Sequence, residues 1–327
     1  MYVSLEPEIA CSAANARLPG ASVEDYLAAI GNREITCVKR IPRLPKSPIT
    51  LRGPGTYMTC REKKLKALQS YLTIAKYLLP IDRSIASSCL WHPDLHQENI
   101  FVNPENPSEI VAIIDWQSTE LAPLFNQVRQ PYFLDYEGPP TQGLERPELP
   151  GNYDQLDDAS QKKAMSLYLS QMLSTMYRIL LHNDVPLLYR AWEYQQTASF
   201  ELLLIAQRLL IDGEAQYLAS ILKLENAWLD LPGVVAQGSP PYPFRFSSTE
   251  RTEIEADAKG AAEGMNLMRS VRDSIGRDLF PERGVVRVDQ YDEAKNALQQ
   301  VKDQVLDLYA HDEHERKLWE EDWPFDD

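Results

Sequence analysis

The stretch LWHPDLHQENIFV, residues 90–102, gathers His92, Asp94, His96, Glu98 and Asn99 just ahead of the apolar run Ile100 to Val102. A second apolar run, Ile110 to Ile114, delivers Asp115 and Trp116 at its end. Between the two runs lies NPENPSE, whose prolines and asparagines are turn formers, so the spacing predicts a β-hairpin. A turn centred between residues 106 and 107 sets Asn99 and Asp115 across from one another. An amide oxygen and a carboxylate side by side suit a hard cation such as Mg²⁺, which takes oxygen ligands and leaves room for water and phosphate. Asp94, on the loop entering the first strand, is placed to accept a proton or orient a hydroxyl beside that ion. Each residue alone has a structural use, as a turn cap, a strand-end partner or a strand terminator. Their convergence from two short segments favours the chemical use.

His92 is expected to be packed and hydrogen-bonded rather than catalytic, while His96 fits a supporting role and a surface role equally. Trp91 and Trp116 flank the site and are expected in the core. The elements around these residues are mostly helical. Residues 61–80 space Leu65, Leu68, Leu72, Ala75 and Leu79 as an amphipathic helix ended by Pro80, and it leads into the motif. Before it, KRIPRLPKSPITLRGPGT at 39–56 is too rich in proline for regular structure. After the hairpin comes the proline-rich passage 138–154, then helical segments at 158–182, 186–211, 213–230, 250–276 and 289–321. In the last of these Tyr291, Ala294, Leu298, Val301, Val305 and Leu308 form a narrow apolar seam, expected to face a core. Residues 231–244 are the expected internal joint, and the acidic tail EEDWPFDD can be unpaired. The fold class is therefore α+β, mostly helical, with one small hairpin.

The chain has 327 residues and 44% hydrophobic content, enough for one large core or two modest ones. Its net charge of -15, from 48 acidic and 33 basic side chains, repels phosphate backbones and anionic lipid, which argues against nucleic acid as a partner. The four cysteines, Cys11, Cys37, Cys60 and Cys89, form no CxxC pair and fit reduced thiols better than a zinc site or a disulfide framework. No apolar run reaches the roughly 18 residues that cross a bilayer. The stretch MYVSLEPEIACSAANARL carries Glu6 and Glu8 and one arginine, so neither a secretory signal nor a basic transit peptide is expected.

HPDLHQEN fits the H-x-D-L-x-x-x-N catalytic loop of kinase-like phosphotransferases, and IIDWQ fits their metal-binding segment in its Asp-Trp form. His96 after Leu95 and Trp116 after Asp115 make the pair resemble the aminoglycoside phosphotransferase and choline kinase branch rather than the protein kinases. The wider text LLP, LWHPDLHQENIFV, IIDWQSTELAPLF and PYFLDYEGP is most similar to a fungal group that includes altered inheritance of mitochondria protein 9. The resemblance covers residues 79–152 well and the flanking helices loosely. It implies the large lobe of the kinase-like fold over 61–327, with a catalytic loop at 91–99, a metal segment at 113–117, and an irregular segment over 1–60 entering the lobe. It implies Asp94 as the catalytic base or hydroxyl-orienting carboxylate, Asn99 and Asp115 as holders of the Mg²⁺ that bridges ATP phosphates, and His92 as support for the loop. His96 and Trp116 join as supporting neighbours. ATP and Mg²⁺ are the implied cofactors and a small-molecule hydroxyl the acceptor. Mitochondrial residence follows from the resemblance alone, and a cytoplasmic one otherwise.

Kinase-like folds also use a smaller lobe with a glycine-rich loop and a strand lysine. RGPGT at 52–56 contains Pro54 and lacks flanking strand patterns, and Lys39 in EITCVKRI is the one lysine in a strand-like context. By resemblance YLAAIGNREI matches helical large-lobe sequence instead. The chain thus reads as a large lobe without its small one, either truncated at its start or a degenerate, pseudokinase-like binder with a protein partner. A third reading, a metal-dependent hydrolase using His92, Asp94, His96 and Asp115 around zinc or iron, lacks further histidines nearby, since His182, His311 and His314 lie in other segments. Glu193 and Asp212 read equally as surface charges and as amine-binding groups.

Overall fold

The structure, a computed structural model, describes residues 22–117, 119–141, 143–281 and 286–326. It is 60% helical with short strands, the expected α+β, mostly helical class. In chain order the elements are α1 (Val23–Arg40), α2 (Arg61–Ile74), β1 (Ser88–Leu90), β2 (Ile100–Asn103), β3 (Asn106–Ile113), β4 (Leu121–Pro123), α3 (Leu124–Gln127), α4 (Asp158–Asp184), α5 (Pro186–Gln195), α6 (Ala198–Ala206), α7 (Glu214–Ala227), α8 (Pro232–Ala236), α9 (Ser248–Ile275), α10 (Tyr291–Tyr309) and α11 (Glu313–Asp322). They divide into two compact units, one of residues 24–78 and 202–326, the other of 79–201 with Ser22 and Val23 at the start of α1.

In the first unit α1 replaces part of the irregular segment expected over 1–60; residues 1–21 lie outside the described residues. The cause was present in the sequence. Leu27, Ile30, Glu34, Cys37 and Val38 recur at threes and fours and are buried, while Glu24 and Asp25 open the helix and Lys39 and Arg40 close it, complementing its dipole. Lys39 therefore sits in the last turn of a helix and not on a strand. Apart from Lys39 and Arg40, which end α1, the 39–56 passage is a loop, as expected, and it lies against α9: a Cβ at Gly264 would stand 2.4 Å from the Leu51 carbonyl oxygen, so only glycine permits this approach. In the same loop Gly53 of RGPGT meets the Trp319 indole.

The seam of α10 does face a core. Val305 and Leu306 are buried with Leu51, Met268, Val271, Phe280, Trp319 and Trp323, and Leu298 and Val301 pack against them. Its ends, Tyr291 and Leu308, are exposed. The segment expected at 289–321 is two helices, because Ala310 is extended and Asp312 caps α11 by accepting from the Glu315 N–H at 2.8 Å. Likewise 186–211 is broken after Gln195, where Thr197 caps the turn into α6. The acidic tail is docked, with Trp323 buried and Phe325 edge-on to Phe280. Residues 231–244 lie wholly inside this unit and mark no boundary.

Two buried charges pin the 209–214 turn. Lys64 on α2 donates to the Leu209 carbonyl and the Glu214 carboxylate, both at 2.8 Å, with both side chains fully buried. Burial pulls the Lys64 ammonium below its ordinary value and Glu214 opposes that pull. Asp212 accepts from Ser47, from Thr50 at 2.8 Å and from its neighbour Gly213, with Arg52 at 3.4 Å, so it is a structural anchor and not an amine-binding group.

In the second unit α3 carries the core side chain Phe125, ringed by Tyr194 and Phe200. Gln127 reaches from α3 to hold the carbonyls of Cys89 at 2.7 Å and Ala122 at 3.0 Å. Those two residues pair across β1 and β4, an antiparallel couple of three residues each that clamps both ends of the segment 91–120. Glu193 is exposed on α5. Cys37, Cys60 and Cys89 form no disulfide, and Cys11 lies outside the described residues.

Candidate functional site

The predicted hairpin is β2 and β3, antiparallel, with Ile100 facing Ile113 and Phe101 facing Ala112. That register is the one a turn centred between 106 and 107 requires. Towards the tip two register shifts move the pairing, so Asn103 faces Asn106 and the turn itself falls at Pro104 and Glu105. The second strand therefore starts earlier than the apolar run did. At the base the Ile114 N–H donates to the Asn99 carbonyl at 3.0 Å, which sets Asn99 opposite Ile114 and one position from Asp115.

Asn99 ends a short turn, Gln97–Asn99, and is buried to 5% exposure. Its amide nitrogen donates to the Asp94 carbonyl at 2.9 Å and to His96 Nε2 at 3.1 Å. A carbonyl accepts only, so the Asp94 contact fixes which end of the amide is nitrogen. His96 Nε2 must then be the accepting nitrogen of its ring. With both amide hydrogens committed, Oδ1 of Asn99 is left as an acceptor without a partner among the described residues, the condition for a metal ligand. His96 lies 3.6 Å from the Asp94 carboxylate through the same nitrogen, so it sits between Asp94 and Asn99 as a supporting residue.

His92 is buried and ties the two segments together. Its Nδ1 accepts from the Asp94 N–H at 3.3 Å, and Nε2 donates to the Ile114 carbonyl at 2.8 Å. Both ring nitrogens are spent, which suits the expected supporting role and removes His92 as a ligand. Its ring meets Trp116 edge-on, with centroids 4.8 Å apart. Trp116 departs from the expectation of a core residue: it is 47% exposed, held by its own Nε1 donating to the Ile113 carbonyl at 2.9 Å. Trp91 is half-buried.

Asp115, between Ile114 and Trp116 in the chain, lies in the left-handed backbone region, with φ 63°. A non-glycine residue held there marks a place where position outweighs backbone comfort. Thr119 donates its hydroxyl to the Trp116 carbonyl at 2.6 Å, closing the turn that displays the carboxylate. Asp115 and Asp94 are both exposed, Asp94 by 56% of its side chain. Gln127 was not foreseen as a holder of this site. Nothing in its spacing marks it, because its partners are backbone carbonyls brought near only by folding.

An amide oxygen and a carboxylate are hard oxygen donors, the set that fits Mg²⁺. Among the described residues no three or more His, Cys, Asp or Glu side chains are arranged to hold a metal, so the ligand set of a zinc or iron hydrolase is not assembled. No described strand carries a lysine. Among the described residues no helix is long and apolar enough to cross a membrane.

No protein-family model matches the chain, and no solved structure matches it. Two curated relatives do, the subtelomeric hrmA-associated cluster proteins of two Aspergillus fumigatus strains, each 25% identical over 313 residues and covering 94% of this chain. The chain spans 58% of the length of those relatives.

Proposed function

We propose that the 91–116 segment is the magnesium- and nucleotide-handling part of a kinase-like phosphotransferase, the large lobe of that fold, in the aminoglycoside phosphotransferase and choline kinase manner. One observation carries this reading: the Asn99 amide is locked by Asp94 and His96 so that its oxygen is the atom left over, one register position from a carboxylate held in a left-handed turn. In this reading Asn99 and Asp115 hold the ion, and Asp94 orients the acceptor hydroxyl and takes its proton. The bound ion neutralises charge on the ATP phosphates. His92 ties the Asp94 loop to the end of β3 through its two ring nitrogens, which supports a role for these segments as one site.

Phosphoryl transfer in this class depends on positioning and charge neutralisation. Without a strand lysine or a phosphate loop among the described residues, the chain by itself binds Mg²⁺ and ATP and turns over slowly or not at all. The acceptor class is a small-molecule hydroxyl, and mitochondrial residence remains part of the same proposal. The test is a titration of the full chain with Mg²⁺ and ATP together, and separately with Zn²⁺, following the fluorescence of the half-exposed Trp116. A change that needs both Mg²⁺ and nucleotide is expected. A response to Zn²⁺ alone would favour a hydrolase, and none to either a purely structural, protein-binding lobe.

A further inference from the structure

Helix α4 turns its polar side inward and an apolar side outward. Ser174, Thr175 and Arg178 are buried, with Leu181 the one apolar residue of the helix buried among them. Ser174 donates to Gln130 at 2.8 Å, Arg178 Nε donates to the Gly143 carbonyl at 2.9 Å, and the guanidinium lies 5.5 Å from the Trp192 ring centre. Higher on the same helix Gln171 donates to the Pro139 carbonyl at 2.9 Å. These bonds fix the rotation of the helix, so Leu169, Leu173, Met176 and Leu180 cannot roll inward. On the outer side Leu169, Leu173, Met176 and Leu180 are 53%, 56%, 51% and 55% exposed. One exposed leucine is ordinary, whereas four large apolar residues spaced four, three and four apart form the a/d seam of a two-stranded helical pair.

We propose that this seam docks a second copy of the same chain, the two α4 helices packing antiparallel about a two-fold axis. In that register Leu169 meets the partner's Leu180 and Leu173 meets the partner's Met176, so the seam is complementary to itself. Charge selects the direction. Lys163 and Asp184 are both exposed, one near each end of α4. Antiparallel packing brings Lys163 beside the partner's Asp184, and symmetry repeats the pair. Parallel packing would set lysine against lysine and aspartate against aspartate. The seam buries a few hundred Å² per copy, below the ~800 Å² of a standard interface, so the dimer forms and dissociates with concentration.

Sedimentation equilibrium of the full chain from about 1 to 100 µM tests this, the range in which an interface below standard size associates. A monomer–dimer equilibrium is expected, weakened at least tenfold by Leu173→Glu. Lys163→Asp alone is expected to weaken it severalfold, and Lys163→Asp with Asp184→Lys to restore it. All the substituted positions are exposed, and far-UV circular dichroism confirms that each variant is folded. A monomer at every concentration overturns the proposal. A dimer indifferent to Leu173→Glu, or one that the double charge exchange fails to restore, overturns it equally.

Discussion

Asp115→Gly separates what residue 115 does for the fold from what it does for a ligand. Its φ of 63° lies where an L-residue loses on the order of 1 kcal/mol, somewhat less for aspartate than for most. The carboxylate is exposed and makes no hydrogen bond among the described residues, so truncation removes no stabilising contact. Glycine relieves the backbone but frees the unfolded chain by a similar amount, about 0.5–1 kcal/mol. The two effects oppose, and the variant should keep its stability to within about 1 kcal/mol. Its affinity for Mg²⁺ with ATP should fall at least tenfold, about 1.4 kcal/mol, since the proposed site loses one of its two protein ligands. Urea denaturation at constant m measures the first quantity and isothermal titration calorimetry the second. Asp115→Asn, which tolerates the same backbone and lacks the charge, should match the glycine variant in binding. A stability loss above about 2 kcal/mol would mean that the turn is held for packing and not for display of the carboxylate. Unchanged binding would remove Asp115 from the site.

His92→Ala gives up the bonds to Ile114 and Asp94 and the edge contact with Trp116, and should cost about 2–3 kcal/mol in urea denaturation; less than about 0.5 kcal/mol would refute its tethering role. Lys64→Met strands the Glu214 carboxylate in a fully buried position and should cost about 3–5 kcal/mol, whereas Lys64→Met with Glu214→Leu should recover much of it; additive losses would contradict the pairing. Stability should decline in acid. Burial pushes the Asp212 carboxyl up, but Ser47, Arg52 and Thr50 more than offset it, and the Ser247 backbone N–H, Lys66 and the Ser247 hydroxyl hold Glu250 down at about 2. Carboxyls depressed in the folded state stabilise it above their unfolded values and lose that contribution as pH falls through their folded ones, so the urea midpoint should drop between about pH 4.5 and 2. Asp212→Asn should flatten part of that decline, and an equally steep one would exclude Asp212 as a cause. His96→Ala releases the Asn99 amide and should weaken Mg²⁺-dependent nucleotide binding severalfold in calorimetry while leaving the urea midpoint nearly unchanged; the reverse pattern would make His96 a purely structural residue.

What could be read from the sequence was local. The hairpin register followed from two apolar runs and a proline-rich turn, and the structure repeats it at Ile100 and Ile113. The core-facing seam of α10 followed from its spacing. Three-residue strands such as β1 and β4 carry too few residues for a period, so the clamp they form was invisible. The buried Lys64 sat among ordinary helix charges, and only its partner 150 residues away distinguishes it. Helix α1 was legible by period but was masked by the proline-rich passage after it. Trp116 was placed in the core on residue type alone, whereas its position past the end of β3 leaves it half exposed. The same reasoning could not see the polar residues that α4 buries, because burial of Arg178 depends on the Gly143 carbonyl and the Thr141 hydroxyl of a distant loop.

Electron paramagnetic resonance of Mn²⁺, standing in for Mg²⁺, tests the pairing of Asn99 and Asp115 most directly. Protein with ATP should deplete the free Mn²⁺ signal beyond what ATP alone does, and Asn99→Ala should abolish that excess. Equal depletion by the wild-type chain and Asn99→Ala, or none beyond ATP, would contradict a shared ion at this site.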